Sequence, residues 1–539
     1  MVNNILHHGQ SIRNHSLILN YKTMIKNFKW LLFASLAFVA CDSEEEVTID
    51  ANSSDGKPLT SGTATVSKYV ALGDSYAAGF SDNALFIAAQ QGSYANIISQ
   101  QFALTGGGEF KTPLMADNVG GLLLGGNVIQ GVRLYFNGSA PVPVAGRPST
   151  EVTTKLTGSF NNMGVPGAKS YHLVAPGYGN VAGVATGQAN PYFVRFSSSA
   201  STTVLADAVV QDPTFFSLWI GGNDVLSYAT SGGIGRNQTG NLNPATYGGN
   251  DITDPTVFAS VYSNVVNAMT AKGAKGVVAN LPYVTALPFF TTVPFNPLTA
   301  VVLGRGNVAV GTATIQGLNT QLYGPLKQAL TAFGAGSRIE LLSTTTANPL
   351  LIVDESLPNL SAQLTAAFTP TLGLQSATFY GQVFGQARQA TREDLVVLTA
   401  RAVIASAPTG VPAPLNVFGV TYPMQDLHVL TKAEVVEVKV ATDAYNNTIK
   451  SIADAKGLAF VELKSVTDQL ANGGIIYNNY RVTSAFVTGG MFSLDGVHPS
   501  PRGYAIIANL FTEAINVKFG ANFKNKDVSL YRILYPASL

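Results

Sequence analysis

The stretch KYVALGDS, residues 68–75, decides the architecture of this chain. Its first five residues are mostly apolar or β-formers, which is typical of a buried strand, and Gly73 ends that strand. A helical pattern follows, so we expect Ser75 at the carboxyl edge of a sheet, beside the free N–H groups that open the helix. A hydroxyl there is a candidate nucleophile, although Asp and Ser are also ordinary turn and capping residues. The stretch therefore predicts a strand, a tight turn and a helix around a candidate reactive serine.

The same alternation of strand and helix continues to the end of the chain. Apolar or β-branched runs predict four further strands, one ending near 162 and three at 214–220, 276–280 and 458–463. Helical patterns cover 202–210, 254–272, 431–456 and 500–517, and the second and fourth of these open with a capping residue followed by proline. This alternation predicts the α/β class, with a parallel sheet and helices on both of its faces.

Two long segments, 105–158 and 285–425, do not fit that alternation, because they are rich in Gly, Pro, Thr and aromatic residues. We interpret them as insertions in one domain that covers 67–539. Loops at the carboxyl ends of parallel strands collect ligand contacts, so the insertions are candidates for substrate walls or a lid. The alternative, equally open, is that they extend the core and do not touch substrate.

The composition excludes several classes of protein. Of the 539 residues, 46% are hydrophobic and only 12% are charged, with a formal net charge of +1 and no long run of one sign. A disordered chain and a nucleic-acid binder are therefore excluded. The 53 glycines follow no fixed period, which excludes collagen, solenoids and propellers. We expect a globular protein with a neutral surface and long ordered loops.

The single cysteine, Cys41, indicates where the protein resides. It follows an apolar run at 30–40 that is preceded by two lysines, a pattern typical of a secretory signal and too short to span a bilayer. With a small residue before it and the acidic stretch 42–46 after it, Cys41 resembles the cysteine of a bacterial lipobox. The alternative is a buried core cysteine. We predict a signal segment at 1–40, an acylated Cys41, and a flexible tether at 41–66 on an outer-membrane or cell-surface lipoprotein.

Two glycine-containing motifs follow the next two predicted strands. NMGVPG ends at Gly167, and GGND contains Asn223. Because the carboxyl ends of parallel strands meet at one edge of a sheet, we expect the Gly167 backbone N–H and the Asn223 side-chain amide near Ser75. Together with the Ser75 N–H, these donors would form an oxyanion hole. Taken separately, each motif favours a plain glycine-rich turn over an oxyanion donor.

A candidate base lies in the sequence DGVH, just before the last predicted helix. A turn that joins Asp495 to His498 can bring the carboxylate onto one imidazole nitrogen while the other faces the nucleophile. Without the signal segment, the remaining histidines are His172, which has no acidic neighbour in sequence, and His428. Asp426 and His428 would share a face on a strand, so His428 is the alternative base. A purely structural His498 is the competing interpretation.

In this order, the four motifs resemble those of the SGNH, or GDSL-type, hydrolase family, which is named for a Ser, a Gly, an Asn and a His in four sequence blocks. The matching positions are Ser75, Gly167, Asn223 and His498, and Asp495 completes a triad. The resemblance covers roughly three segments, 67–104, 159–284 and 427–517. Two departures are Tyr76, where the signature often has Leu, and the longer separations between the blocks.

The resemblance implies a flavodoxin-like three-layer α/β/α sandwich of strand order 2-1-3-4-5, without metal or cofactor. It also implies ester hydrolysis through an acyl-enzyme, with a lipid or an acylated glycan as the ester substrate. The expected partners are that substrate and a membrane bound through the N-terminal lipid, with no nucleic acid. Two alternatives stay open: a carbohydrate acetylesterase acting on polysaccharide, and a non-catalytic surface lipoprotein that binds polymer through the insertions.

Overall fold

The computed structural model of the chain describes residues 56–539. The predicted signal segment, the lipidation site Cys41 and the tether up to residue 55 lie outside the described residues.

A five-stranded parallel sheet forms the centre of the protein. Its strands are β1 (Tyr69–Gly73), β2 (Asn162–Gly164), β3 (Phe215–Trp219), β4 (Lys275–Ala279) and β5 (Ala459–Val461). They lie in the order β2-β1-β3-β4-β5, and every neighbouring pair is parallel. Almost every strand residue is buried, as expected for a parallel sheet covered on both faces. The predicted α/β class and parallel sheet are confirmed.

Strands β1, β2 and β3 end side by side in the sheet. Gly73 at the end of β1 lies opposite Gly164 of β2 on one side and Trp219 of β3 on the other. Loops that leave these three strands therefore begin side by side at the carboxyl edge. This edge is where ligands bind in open α/β sheets.

The second strand lies slightly later than predicted, because it begins at Asn162 instead of ending near it. Its residues Asn162 and Gly164 are poor strand formers, and tertiary contacts hold them. The Asn162 side chain donates to Ala77 O at 2.9 Å and accepts from Gly164 N at 3.0 Å. A Cβ on Gly164 would lie 2.3 Å from Ala78 N, so only glycine permits this close approach.

Seven helices define the two outer layers and the start of the site. They are α1 (Ser75–Ala78), α2 (Tyr94–Ala103), α3 (Val204–Val209), α4 (Asn223–Thr230), α5 (Pro255–Thr270), α6 (Lys432–Lys456) and α7 (Pro501–Phe519). Helix α7 packs on α2 and β5, whereas α5 packs on α3 and α6. The predicted caps are present: Asp254 accepts from two N–H groups of α5, and Ser500 accepts from one of α7.

The remaining elements lie in the loops and insertions. The other α-helices are Ile87–Gln91, Pro191–Val194, Pro288–Thr291, Ala300–Leu303, Val308–Leu318, Gly324–Ala332, Ser361–Phe384 and Leu463–Ala471. Antiparallel pairs join Leu122–Leu124 to Asn127–Gln130, Leu134–Phe136 to Pro141–Pro143, Leu351–Val353 to Ala387–Gln389, Leu395–Val396 to Val429–Leu430, and Ile475–Tyr477 to Tyr480–Val482. Among residues 56–539, no helix has the length and apolarity needed to cross a bilayer.

The fold begins earlier than the predicted boundary near Ser67. Thr60 pairs with Asn522, and Thr63 N donates to Phe519 O at 2.8 Å. Ala64 and Val66 are buried in the main core. The prediction that the flexible tether extends to residue 66 is therefore wrong for its last residues, because they are hydrogen-bonded to the end of α7 and to the segment that follows it.

Both insertions extend the core. Residues 105–158 contribute Met115, Leu122 and Val152 to a small cluster with Phe80. Residues 285–425 enclose a separate apolar cluster of their own and also add side chains to the main core. Contact between either insertion and a substrate stays a prediction.

Candidate active site

The sharp turn from β1 into α1 places Ser75 at the carboxyl edge of the sheet, where the residue is only 5% exposed. A Cβ on Gly73 would lie 2.6 Å from Trp219 O, so glycine is required for this close approach of two chains. Asp74 caps α1 by accepting from Tyr76 N at 3.0 Å. Burial raises the pKa of Asp74 to about 7, although the Tyr76 N–H bond opposes this rise. Asp74 thus shapes the turn, and Ser75 is the first residue of the helix.

A continuous chain of hydrogen bonds joins Ser75, His498 and Asp495. His498 Nε2 lies 2.8 Å from Ser75 Oγ, and His498 Nδ1 lies 2.9 Å from Asp495 Oδ2. The carboxylate can only accept, so Nδ1 carries the proton and Nε2 is left to accept from the serine hydroxyl. The structure therefore brings together two residues that are 423 positions apart in the chain.

The carboxylate of Asp495 accepts five hydrogen bonds. Its Oδ1 accepts from Ser493 Oγ at 3.1 Å, Val497 N at 2.9 Å and His498 N at 2.8 Å. Its Oδ2 accepts from Asn83 N at 3.0 Å as well as from His498. Burial alone would raise the pKa of Asp495, but the charge of His498 and these hydrogen bonds lower it to about 2. The group is thus a carboxylate at any ordinary pH.

The turn at 81–84 supports Asp495 and was missed by the sequence analysis. Asp82 and Asn83 both have positive φ angles, 51° and 66°. Asp82 N donates to Ser493 Oγ at 3.0 Å, and the Asp82 side chain accepts from Leu494 N at 2.9 Å. An Asp-Asn pair shortly after the strand was the available signal, because these residues tolerate left-handed geometry best after glycine.

Aromatic rings enclose the imidazole of His498. The Phe80 ring lies 4.6 Å and the Tyr76 ring 5.5 Å from the His498 ring, measured between centroids. The Tyr76 hydroxyl donates to Val497 O at 3.2 Å, and its ring packs against Trp219 at 4.5 Å. Tyr76 therefore links helix α1, which begins at Ser75, to the loop that carries His498.

The second insertion supports that same loop from outside. Phe289 N donates to Gly496 O at 2.9 Å. Gly496 has a φ of +73°, and a Cβ there would lie 3.0 Å from Phe289 N and 3.1 Å from Leu398 Cδ2. Glycine between Asp495 and His498 is therefore required both by the backbone conformation and by the packed insertion.

The two predicted oxyanion donors lie in adjoining loops. Gly167 has a φ of +79° and open space where a Cβ would stand. The Asn223 amide donates one hydrogen to Ala168 O at 3.0 Å, which leaves its second hydrogen for another acceptor. A Cβ on Gly222 would be 3.7 Å from Asp74 Oδ2, so the loop that leads to Asn223 lies beside the turn of Asp74 and Ser75.

Asp224, the last residue of the GGND motif, ties these loops together. Its carboxylate is fully buried and accepts from Ser170 N at 2.8 Å and Ser170 Oγ at 2.7 Å. The motif thus supplies one candidate donor to the site and one structural anchor.

The other two described histidines do not join the site. His172 Nδ1 accepts from Lys169 N at 3.0 Å, and its ring stacks on Tyr178. His428 lies in a short 3₁₀ helix, Asp426–His428, and its Nδ1 accepts from Gln425 N at 3.1 Å. The expectation that Asp426 and His428 share the face of a strand is wrong, because the segment is helical and the ring bonds to backbone.

Within residues 56–539, no three His, Cys, Asp or Glu side chains are grouped closely enough to hold a metal ion. Comparison with protein-family models, with curated proteins and with solved structures finds no match for this chain. The resemblance to SGNH hydrolases thus rests on the four motifs alone.

Proposed function

We propose that the protein is a serine hydrolase that cleaves carboxylic esters through an acyl-enzyme. The observation that supports this most strongly is the hydrogen-bonded chain Ser75–His498–Asp495, with both links between 2.8 and 2.9 Å. Nucleophile, base and orienting carboxylate in this arrangement are the parts that activate a serine on many unrelated folds.

In the first half of the proposed reaction, Ser75 Oγ attacks the ester carbonyl carbon and its proton passes to His498 Nε2. The carbonyl oxygen becomes an oxyanion, for which the N–H groups of Ser75 and Gly167 and the free amide hydrogen of Asn223 are the candidate donors. Asp495 stabilises the imidazolium that forms and stays ionised itself. His498 then gives the proton to the departing alkoxide, which leaves as an alcohol.

In the second half, a water molecule takes the place of the alcohol. His498 accepts a proton from the water as it attacks the acyl carbon, and then returns that proton to Ser75 Oγ as the carboxylic acid departs. The enzyme is restored and the ester has gained one water.

The composition of the second insertion bears on the class of ester. The insertion at 285–425 that backs the catalytic loop contains long uncharged stretches, including 306–326 and 356–387. We propose that this insertion lines the substrate, and its uncharged composition then favours a neutral acyl ester over a highly charged one. A panel of p-nitrophenyl esters from acetate to long acyl chains separates a lipase-like preference from an acetylesterase. Absence of turnover on every member would favour the non-catalytic alternative.

Replacing Ser75 by alanine tests the central proposal. We expect kcat on the preferred ester to fall by more than about 10⁴-fold, because no other group replaces the nucleophile. The variant is expected to unfold at the temperature of the wild type, since only one hydroxyl is lost. Ser99→Ala, in helix α2, is the control and should retain full activity.

A serine-directed fluorophosphonate should label the wild type at Ser75, as located by peptide mass spectrometry. Activity retained in Ser75→Ala, or labelling at another serine, would overturn the proposed mechanism.

A further inference from the structure

The loop at 493–499 carries both Asp495 and His498, so its conformation sets the position of the imidazole. Within the loop, Ser493 N donates to His498 O at 2.8 Å, and Gly496 N donates to Ser493 O at 3.0 Å. These two hydrogen bonds close the loop on itself, but they do not fix it relative to the sheet. Contacts from other segments must do that.

The turn that contains Asp82 contacts this loop at both of its ends. At the start of the loop, Asp82 N donates to Ser493 Oγ at 3.0 Å, and Asp82 Oδ1 accepts from Leu494 N at 2.9 Å. At the end of the loop, Ser81 Oγ donates to Pro499 O at 3.1 Å. The turn therefore spans the loop and holds its two ends in place.

A single hydroxyl connects Asp82 to Asp495. The Ser493 Oγ that accepts from Asp82 N also donates to Asp495 Oδ1 at 3.1 Å. The next residue of the turn, Asn83, donates its backbone N–H to Asp495 Oδ2 at 3.0 Å. Because both carboxylate oxygens are tied to the turn, a shift of the turn would move the group that contacts His498 Nδ1.

The first insertion, residues 105–158, binds the same turn. Leu134 N donates to Asp82 O at 2.8 Å, and Gln130 Nε2 donates to Asn83 O at 3.0 Å. The turn is thus held by the insertion as well as by the 493–499 loop. The insertion is thereby connected to the candidate site through hydrogen bonds that involve no substrate.

The conformation and burial of Asp82 are both costly. Its φ of 51° is left-handed, the residue is 1% exposed, and its Oδ2 has no hydrogen-bond partner among the described residues. Such costs are typical of positions that serve a function. Burial raises the pKa of Asp82 to about 7, and the charge of Asp495 adds to this rise. The Leu494 N–H and the charge of Arg133 oppose it.

We propose that Asp82 is a positioning residue that fixes the 493–499 loop, so that Asp495 stays on His498 Nδ1. Its expected effect on kcat rests on the proposed hydrolase function, whereas its effect on the hydrogen bond between Asp495 and His498 does not. Asp82 acts through the loop and not on the reacting atoms. The first insertion then supports the site through this turn, a role that needs no contact with substrate.

Two substitutions of Asp82 separate its side-chain contact from its backbone conformation. Glycine and asparagine both tolerate a left-handed φ, but only asparagine keeps an oxygen that can accept from Leu494 N. Asp82→Gly should lower kcat by roughly 10- to 100-fold with little change in KM, because a small misplacement of the base slows the reaction without removing a substrate contact. Asp82→Asn should keep kcat within about threefold of wild type, since it restores the acceptor.

Asp212→Gly is the matched control. Asp212 also has a left-handed φ, 54°, but it lies in an exposed turn before strand β3. This variant should leave kcat unchanged. A kcat for Asp82→Gly within about twofold of wild type, or equal losses in Asp82→Gly and Asp82→Asn, would overturn the proposal.

Nuclear magnetic resonance of protein labelled with ¹⁵N-histidine gives a readout that needs no substrate. The proton on His498 Nδ1 should give a downfield resonance, identified by its absence from His498→Ala. In Asp82→Gly this resonance should shift or broaden through exchange with water, whereas in Asp82→Asn and Asp212→Gly it should stay in place. An unchanged resonance in Asp82→Gly would overturn the proposal. A wild type that hydrolyses no ester would contradict the proposed function alone, because the resonance would still decide the role of Asp82.

Ser493→Ala keeps the proposal testable if Asp82→Gly does not fold. It removes the hydroxyl between Asp82 N and Asp495 Oδ1 and keeps the acceptor for Leu494 N. We expect kcat to fall by roughly 3- to 10-fold, the size of one neutral hydrogen bond, and the His498 Nδ1 resonance to shift. An unchanged kcat together with an unchanged resonance would overturn the proposed connection from Asp82 to Asp495.

Discussion

The protein contains two short segments that pair an aspartate with a histidine, and only the one at 495–498 joins a serine through hydrogen bonds. In the segment at 495–498, the His498 Nδ1 donates to Asp495. In the segment at 426–428, the His428 Nδ1 instead accepts a backbone N–H from Gln425. An acceptor at Nδ1 places the proton on Nε2, and such a nitrogen cannot take a proton from serine. The partner of Nδ1, more than the presence of Asp and His, decides which segment can act as a base.

The neighbourhood of each aspartate explains the difference. Asp495 accepts hydrogen bonds from two segments, its own loop at 493–498 and the turn of Asn83, and its pKa lies at about 2. Asp426 receives no comparable set, and burial together with the charge of Glu355 raises its pKa to about 6. One site is built to keep a carboxylate charged, and the other is not.

The largest expected effect comes from exchanging the two histidines for alanine. His498→Ala should lower kcat on the preferred ester by about 10⁴- to 10⁶-fold, because it removes the base. His428→Ala should leave kcat within about twofold of wild type. Steady-state kinetics measure both variants. A larger loss of kcat in His428→Ala than in His498→Ala would contradict the proposal that His498 is the base.

Replacing each of the two aspartates by asparagine tests whether its carboxylate is needed to orient the neighbouring histidine. Asp495→Asn should lower kcat by about 10³- to 10⁴-fold, because an amide offers a donor to Nδ1 and favours the wrong tautomer. Asp426→Asn is the matched control and should retain wild-type kcat. A small loss in Asp495→Asn, or one confined to KM, would mean that the carboxylate does not orient His498.

A smaller effect is expected at Asn223, which lies outside the hydrogen-bonded chain. Asn223→Ala should lower kcat by about 10²- to 10³-fold with little change in KM, as expected for one donor to the transition state. Asn280, which follows strand β4, is the control because its side chain is bonded to Glu462 and to Lys464 N. Asn280→Ala should cost about 1–3 kcal/mol of stability and leave kcat unchanged. Equal losses of kcat in Asn223→Ala and Asn280→Ala would indicate that Asn223 has only a structural role.

The smallest effects are on stability. The ionised carboxylates of Asp495 and Asp426 should change the free energy of unfolding in opposite directions. Since the folded pKa of Asp495 is below the unfolded value, its ionised form stabilises the fold above about pH 4, and this stabilisation is lost as the pH falls through about 2. The pKa of Asp426 is raised, so its ionisation destabilises the fold as the pH rises from about 4 through 6.

Urea unfolding at pH 7, 5 and 3 measures these contributions. Asp495→Asn should lower the free energy of unfolding at pH 7, whereas Asp426→Asn should raise it. The gain in Asp426→Asn should vanish near pH 3, while part of the loss in Asp495→Asn persists there. The same sign in both variants at pH 7 would contradict the assigned environments.

Much of the fold was predictable because its signals are local. The helix caps Asp254 and Ser500 act within three residues of themselves, and the apolar run of β3 needs only its own side chains. Strand β2 was misplaced because Asn162 and Gly164 are held by helix α1, a contact that no local pattern records. The start of the fold at Thr60 was missed for the same reason, since its partner is Asn522.

For the candidate site, local sequence patterns were enough to predict the residue types and the strand ends at which they occur: Ser75 after β1, Gly167 after β2, Asn223 after β3, and Asp495 with His498 before α7. That His498 and not His428 meets the serine followed from the folded chain, because it depends on a contact across 423 positions. It also decided how Asp495 is held, since Asn83 lies 412 positions away and supplies one of its hydrogen bonds. Hydrogen bonds and electrostatic interactions act over a few ångströms of space, and only the folded chain determines which distant residues lie within that range.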